Sequence, residues 1–107
     1  MLKLWTTALA ESTPKLYETE QIPAEEKIVT AKFFSITSSH TWYVVEAEEQ
    51  DGDVLFFGFV DVGDWNSEWG YFSLSELESV NGLYRVPIIE RDLYFNPTKF
   101  SELKINA

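Results

Sequence analysis

The apolar pattern is densest between residues 27 and 73, where it falls into four short runs separated by polar breaks. KIVTAKFFSI (27–36), TWYVVEAE (41–48), DVLFFGFVDV (53–62) and WGYFS (69–73) are rich in β-branched and aromatic residues, the signature of strands. Asp51-Gly52 between the second and third runs predicts a tight hairpin turn. Gly58 inside the third run predicts a bulge or a close backbone approach. Thr37–His40 and Asp61–Glu68 read as polar connections.

Helical signals are weaker. Residues 2–12 predict a short helix, capped by Thr6 or Thr7 and stopped before Pro14. Residues 14–26, with Pro14 and Pro23, read as a loop with local turns. Leu74, Leu77 and Val80 repeat at a spacing of three and predict a second short helix. Ser75 with Glu78 fits a capping box there, Ser73 with Glu76 gives a rival register, and Asn81-Gly82 supplies a stop. Residues 83–89 read as extended, with Pro87 arguing for a sheet edge. Arg91–Phe95 reads as a further short extended piece, and 100–105 as a last short helix or a frayed end. The expected fold is α+β: a single domain over residues 1–107, built as an antiparallel β-sheet meander of about four to six strands with two or three short helices.

Composition changes this picture in one respect. The 107 residues carry 18 Asp+Glu against 8 Lys+Arg, a net charge of −10. The imbalance is local. Residues 1–32 and 85–107 are nearly neutral, whereas residues 33–84 hold ten acids and no Lys or Arg. Such a block attracts basic partners and repels nucleic acid. With 45% hydrophobic residues the chain is too apolar for a disordered acidic tail. With no Cys it can form no disulfide and no thiolate metal site. No apolar run reaches the length of a membrane span, and Met1–Ala10 lacks the apolar core of a signal peptide, so a cytoplasmic location is expected.

No catalytic motif is visible. His40 is the lone histidine, with no second ligand at a metal-binding spacing, and an exposed turn residue is the simpler reading. Asp61, Asp64, Asn66 and Glu68 place four oxygen side chains in eight residues. Their spacing does not match a Ca²⁺-binding loop, and a solvated turn accounts for them. Ser73 and Ser75 sit in no nucleophile elbow, and no phosphate-binding Gly-rich loop exists. No cofactor is expected, and the chain reads as non-enzymatic.

The acids and aromatics are the remaining candidates. Adjacent strand residues point to opposite faces, so Phe33-Phe34, Trp42-Tyr43 and Phe56-Phe57 put aromatics on both sides of the sheet. Glu46 and Glu48 share a face, roughly 6.7 Å apart. Rows of carboxylates can present charge as a phosphate backbone does. The expected contact set is Glu46, Glu48, Glu49, Asp51, Asp53, Asp61, Asp64 and Glu68, with Trp65 and Trp69 as anchors, since Trp is enriched at binding hot spots. Glu90-Arg91-Asp92 reads as an ion-pair set fixing the C-terminal segment, with a surface patch as the alternative, and Arg91 as the one strong candidate to neutralise part of the acidic block.

Several segments together resemble a known family. Lys15-Leu16-Tyr17-Glu18-Thr19-Glu20, Lys32-Phe33-Phe34, Thr41-Trp42-Tyr43, Asp53 with Phe56-Phe57-Gly58, GYFSLSELES (70–79) and ERDLYF (90–95) occur in one order over residues 9–103. They resemble a family of small bacterial, plasmid and phage proteins classed as a domain of unknown function. The resemblance implies a mobile-element context and transfers no activity and no catalytic residue. The expected function is an acidic binding protein that occupies a basic, nucleic-acid-binding surface of a protein or complex, in its sharpest form an anti-CRISPR or anti-restriction inhibitor. Two alternatives stand beside it: a protein-interaction or oligomerisation module, and a small metal-dependent hydrolase using the 61–68 loop. Neither direct nucleic-acid binding nor membrane binding is expected.

Overall fold

A computed structural model describes residues 3–80 and 88–105. Its elements are, in order, α1 (Thr7–Ser12), β1 (Ile28–Val29), β2 (Ala31–Ser35), β3 (Thr41–Gln50), β4 (Asp53–Asp61), β5 (Glu68–Ser73), α2 (Leu74–Glu78), β6 (Ile89–Arg91) and β7 (Thr98–Lys99). Single 3₁₀ turns lie at Ala24–Glu26 and Phe100–Glu102. Five strands form one antiparallel sheet in the order β5-β4-β3-β2-β6, and β1 pairs with β7 in a second. The architecture is the expected α+β meander, with seven strands among the described residues rather than four to six. The two extra pieces are the two-residue β1 and β7. Lys27–Ile36 reads as one apolar run, yet it divides between β1 and β2, which belong to different sheets. Asn81-Gly82 and Pro87 lie outside the described residues.

Local chemistry explains the boundaries. Thr6 Oγ1 accepts the Leu9 amide at 3.2 Å, so α1 begins at Thr7 and not at residue 2. Leu4 and Trp5 stay outside the helix and pack inward, Trp5 edge-on to Phe56 at 4.9 Å. Asp51 and Gly52, at φ of 51° and 81°, form the two-residue turn between β3 and β4. For α2 the rival register wins. Ser73 is the N-cap, in extended backbone and accepting the Glu76 amide at 3.2 Å, while Ser75 lies inside the helix and donates its hydroxyl to Asp53 at 2.6 Å.

Both faces of the large sheet are covered. On one face Phe33, Val44, Ala47, Val54, Phe56, Phe72 and Ile89 form a core closed by Leu4, Trp5, Leu9, Leu74 and Leu77, from the N-terminal segment and both helices. On the other, Tyr43, Val45 and Phe59 pack with Val29, Phe95, Phe100, Leu103 and Ile105 from β1 and the C-terminal segment. That is why paired aromatics such as Phe56-Phe57 are compatible with a small domain.

The pairing of β3 with β4 shifts by one residue between Val44 and Glu46, a β-bulge. It sits beside the residue whose glycine signalled an irregularity: Gly58 faces Val44 across the strands, and a Cβ on Gly58 would overlap the Tyr43 carbonyl. The glycine permits the close approach, and the extra residue is on the partner strand. Gly70, opposite Gly58 on β5, has nothing within 4 Å of where a Cβ would stand.

These two glycines give a paired test. Gly58→Ala should destabilise the protein by about 2–3 kcal/mol through overpacking against backbone, whereas Gly70→Ala should change stability by less than about 0.5 kcal/mol. Urea denaturation measures both; equal effects would contradict the packing described.

Candidate functional site

The bulge turns Val45 and Glu46 to the same face of β3, so a carboxylate follows directly after a core valine. Glu46 is 4% exposed. Its Oε1 accepts the Tyr17 amide at 2.9 Å, and its Oε2 accepts the Thr19 amide at 3.0 Å and the Thr19 hydroxyl. Tyr17 has φ of 71°, a left-handed conformation that a non-glycine residue rarely takes. That conformation turns the amides of residues 17 and 19 toward one point, a concave anion cradle filled here by the protein's own carboxylate. The loop is tied down further: Ala47 donates to the Pro14 carbonyl at 2.9 Å, and Lys27 Nζ donates to the Thr19 hydroxyl at 2.9 Å. Thr13 and Thr30 share a buried hydrogen bond at 2.7 Å. Glu46 therefore fastens the 13–20 loop to the sheet and does not face solvent.

Two more acids of the expected contact set are committed to local structure. Asp61 is 7% exposed, and its Oδ1 accepts the Gly63 amide at 2.8 Å and the Ser67 hydroxyl at 3.1 Å. It shapes the 62–67 loop from within. Burial, reinforced by the Asp61 charge, pushes the Tyr43 hydroxyl up from its ordinary pKa. Asp53 holds the start of α2: Oδ1 accepts the Val54 and Ser75 amides at 2.7 and 3.1 Å, and Oδ2 the Ser75 hydroxyl. The Ser75 hydroxyl first, and the Val54 amide after it, hold the Asp53 carboxyl below the usual range.

The others divide between the two ends of β4. Glu48, Glu49 and Asp51 gather at the β3–β4 hairpin tip, and α2 with Glu76 and Glu78 begins beside it. Asp64 and Glu68 flank the loop at the far end. Nine residues of β4 separate the two ends, roughly 26 Å of strand. Trp65 crowns the far loop at 85% exposure. Trp69 is half-buried, stacked on Phe57 at 5.7 Å and packed against Phe100 at 4.7 Å, so it belongs to the sheet's aromatic layer. His40 is an exposed turn residue set edge-on to Trp42 at 6.0 Å.

Arg91 does not reach this surface. It lies on β6, at the opposite edge of the sheet from β5, and its Nε donates to the Lys3 carbonyl at 3.2 Å. Asp92 pairs with Lys32 at 3.8 Å, so among the described residues one member of the triplet, not all three, forms an ion pair. Among the described residues the two ion pairs are Lys32–Asp92 and Lys99–Glu26, and neither includes an acid between residues 46 and 78. Nor does any group of three or more His, Asp or Glu side chains stand close enough to hold a metal, among those same residues.

Sequence patterns gave no hint of one surface feature. Tyr17, 61% exposed, and Tyr71, 52% exposed, meet over the sheet face beyond the C-terminal segment, next to Phe57. A hydrogen bond donated to Tyr17, and burial after it, hold the Tyr71 hydroxyl above its ordinary pKa, with smaller contributions from Glu46 and Glu20. A residue in an aperiodic loop carries no facing information, which is why Tyr17 was invisible as a partner of Tyr71.

A family model described as a protein of unknown function, DUF2958, matches residues 6–103. No curated protein and no solved structure matches the chain.

Two outcomes follow from the committed carboxylates. Glu46→Ala leaves buried donors at Tyr17 and Thr19 unpaired and should cost about 3 kcal/mol, with faster amide exchange at both residues; unchanged exchange there would contradict the anchoring role. Asp53 has a depressed folded pKa, so its contribution is complete above about pH 4, the unfolded value, and is lost as pH falls through the folded one. The stability gap between wild type and Asp53→Asn should therefore shrink on acidification in urea titrations.

Proposed function

The chain belongs to the DUF2958 family of unknown function, and we propose that it is a non-enzymatic acidic binding protein that docks on a basic, normally nucleic-acid-binding surface of a protein or complex. The observation that carries this reading is the unneutralised surface. Glu48, Glu49, Asp51, Asp64, Glu68, Glu76 and Glu78 have no Lys or Arg partner among the described residues. Salt screens their field over roughly 8 Å at physiological ionic strength.

The spacing supports the same reading. The two acidic ends of β4 stand roughly 26 Å apart, close to eight base-pair steps at 3.4 Å each along one strand. A basic groove that tracks a phosphate backbone would meet charge at both ends. Trp65 supplies an apolar anchor beside the far one. An inhibitor of a defence nuclease, of the anti-CRISPR or anti-restriction kind, is the sharpest form of the proposal, and a mobile-element origin would suit it. A cytoplasmic location goes with this role. No helix among the described residues is long and apolar enough to cross a membrane.

A second reading has an observation of its own. Tyr17, Tyr71 and Trp65 expose aromatic area that a partner could cover without any charge complementarity. The metal-dependent hydrolase has less in its favour, because Asp61 spends its carboxylate on Gly63 and Ser67, and Asp64 accepts the Asn66 amide at 2.7 Å.

The test is affinity capture from a bacterial lysate at low and high salt, with Glu49→Lys, Asp51→Lys, Asp64→Lys and Glu68→Lys combined as control. The acidic reading expects basic nucleic-acid-binding proteins that duplex DNA displaces, that high salt releases and that the charge-reversed variant fails to retain. Partners held equally by the variant and at high salt would sink it in favour of the aromatic surface.

A further inference from the structure

The two edges of the large sheet are not alike. At one edge β6 is three residues long and carries Arg91. At the other, β5 is six residues long and pairs with β4 without any shift in register from Glu68 to Ser73. Proteins blunt such edges with lysine, proline, bulges or a covering segment. EWGYFS has no lysine and no proline, and its pairing has no bulge. Alternate N–H and C=O groups of an edge strand point away from its neighbour. Among the described residues no strand other than β4, and no further backbone hydrogen bond, takes up residues 68–73.

The surroundings of that edge select what fits it. Glu68 lies on the strand, Asp64 and Trp65 precede it, Glu76 and Glu78 follow it, and residues 33–84 contain no Lys or Arg. On one face the strand shows Tyr71, half-exposed, with Trp69 and Phe57 beside it, an aromatic row suited to guanidinium stacking. On the other face Gly70 leaves open space for a larger side chain of an added strand. A second copy of the chain would bring another net charge of −10 to the same edge, and nucleic acid is repelled for the same reason.

We propose that the free edge of β5 takes up an extended, arginine-bearing segment of a partner protein as an additional strand of the sheet. Main-chain hydrogen bonds supply affinity, and alternate side chains supply selectivity: cations over Tyr71 and Trp69, apolar groups over Gly70. The proposal rests on the reading of the acidic surface as a docking face for a basic protein, and it names the mode of docking.

The probe is an acetylated decapeptide of alternating Arg and Val, compared with the same peptide N-methylated at every second residue and with an alternating Glu and Val peptide. Amide exchange of the full chain and the dissociation constants are measured together. The expected result is slowed exchange confined to outward amides of residues 68–73, with binding weakened about ten-fold or more by N-methylation, the loss of roughly one to two hydrogen bonds. Glu68→Lys with Tyr71→Lys, both at exposed positions, should remove binding while leaving the thermal transition in place. Equal binding of the N-methylated peptide without protection of β5 overturns strand addition and leaves the acidic docking face standing. Equal binding of the Glu-Val peptide overturns the charge requirement and the proposed function with it. Absence of binding by the Arg-Val peptide, or a dimer joined through β5 that excludes it, also overturns the proposal.

Discussion

The close approach of the Tyr43 carbonyl to Gly58 is the constraint on which the rest of the structure turns. Without a side chain at position 58, β3 can gain a residue relative to β4, and that extra residue changes which face each later side chain occupies. Before the shift, Trp42 and Val44 face the helices. After it, Ala47 does, while Val45 and Glu46 share the opposite side. A strictly alternating strand would have sent Glu46 into the core built on Phe33 and Phe56. The bulge delivers it instead to the Tyr17–Thr19 loop, where a carboxylate has donors waiting. One missing Cβ thus decides where the Tyr17–Thr19 loop attaches.

The acidic block is consequently two populations with one composition. Glu46, Asp53 and Asp61 are structural, each saturated by backbone amides and hydroxyls within the fold. Such groups shape loops and a helix start, and they add little to the field outside. The remaining carboxylates are presented at the two ends of a long strand, where none of them forms an ion pair among the described residues. A protein that needed only solubility could mix Lys and Glu over this surface. Segregation of charge costs self-repulsion, and it is the feature that gives the acidic surface direction.

Much of this was legible in the amino-acid order. Four strands, the Asp51-Gly52 turn, the irregularity at Gly58, a helix after Ser73 and the two-sided aromatic sheet follow from local pattern and turn chemistry. What escaped has physical causes. Ser73 rather than Ser75 caps α2, and the start of the helix is fixed by Asp53, more than twenty residues away, which accepts the Ser75 amide and hydroxyl. The division of Lys27–Ile36 into two sheets depends on Thr98 and Lys99, which carry no strand pattern of their own. Glu46, Glu48 and Asp61 look alike in sequence, and only the bulge and the loop hydroxyls tell them apart. Arg91 seemed the natural counter-ion of the acidic block, but strand order puts it on the far edge.

The attachment of the Tyr17–Thr19 loop to Glu46 also bears on the order of folding. The β3–β4–β5 meander joins neighbours in sequence and closes short loops, so it can assemble early. The loop's contacts span 27 to 29 residues, and their acceptor exists in position only once the bulge has formed. The 13–20 loop is therefore a late unit, held to a finished sheet by Glu46 together with the Ala47–Pro14 and Thr13–Thr30 hydrogen bonds. The loop thus depends on the register of the meander, and its attachment reports whether β3 and β4 have paired with the extra residue in place.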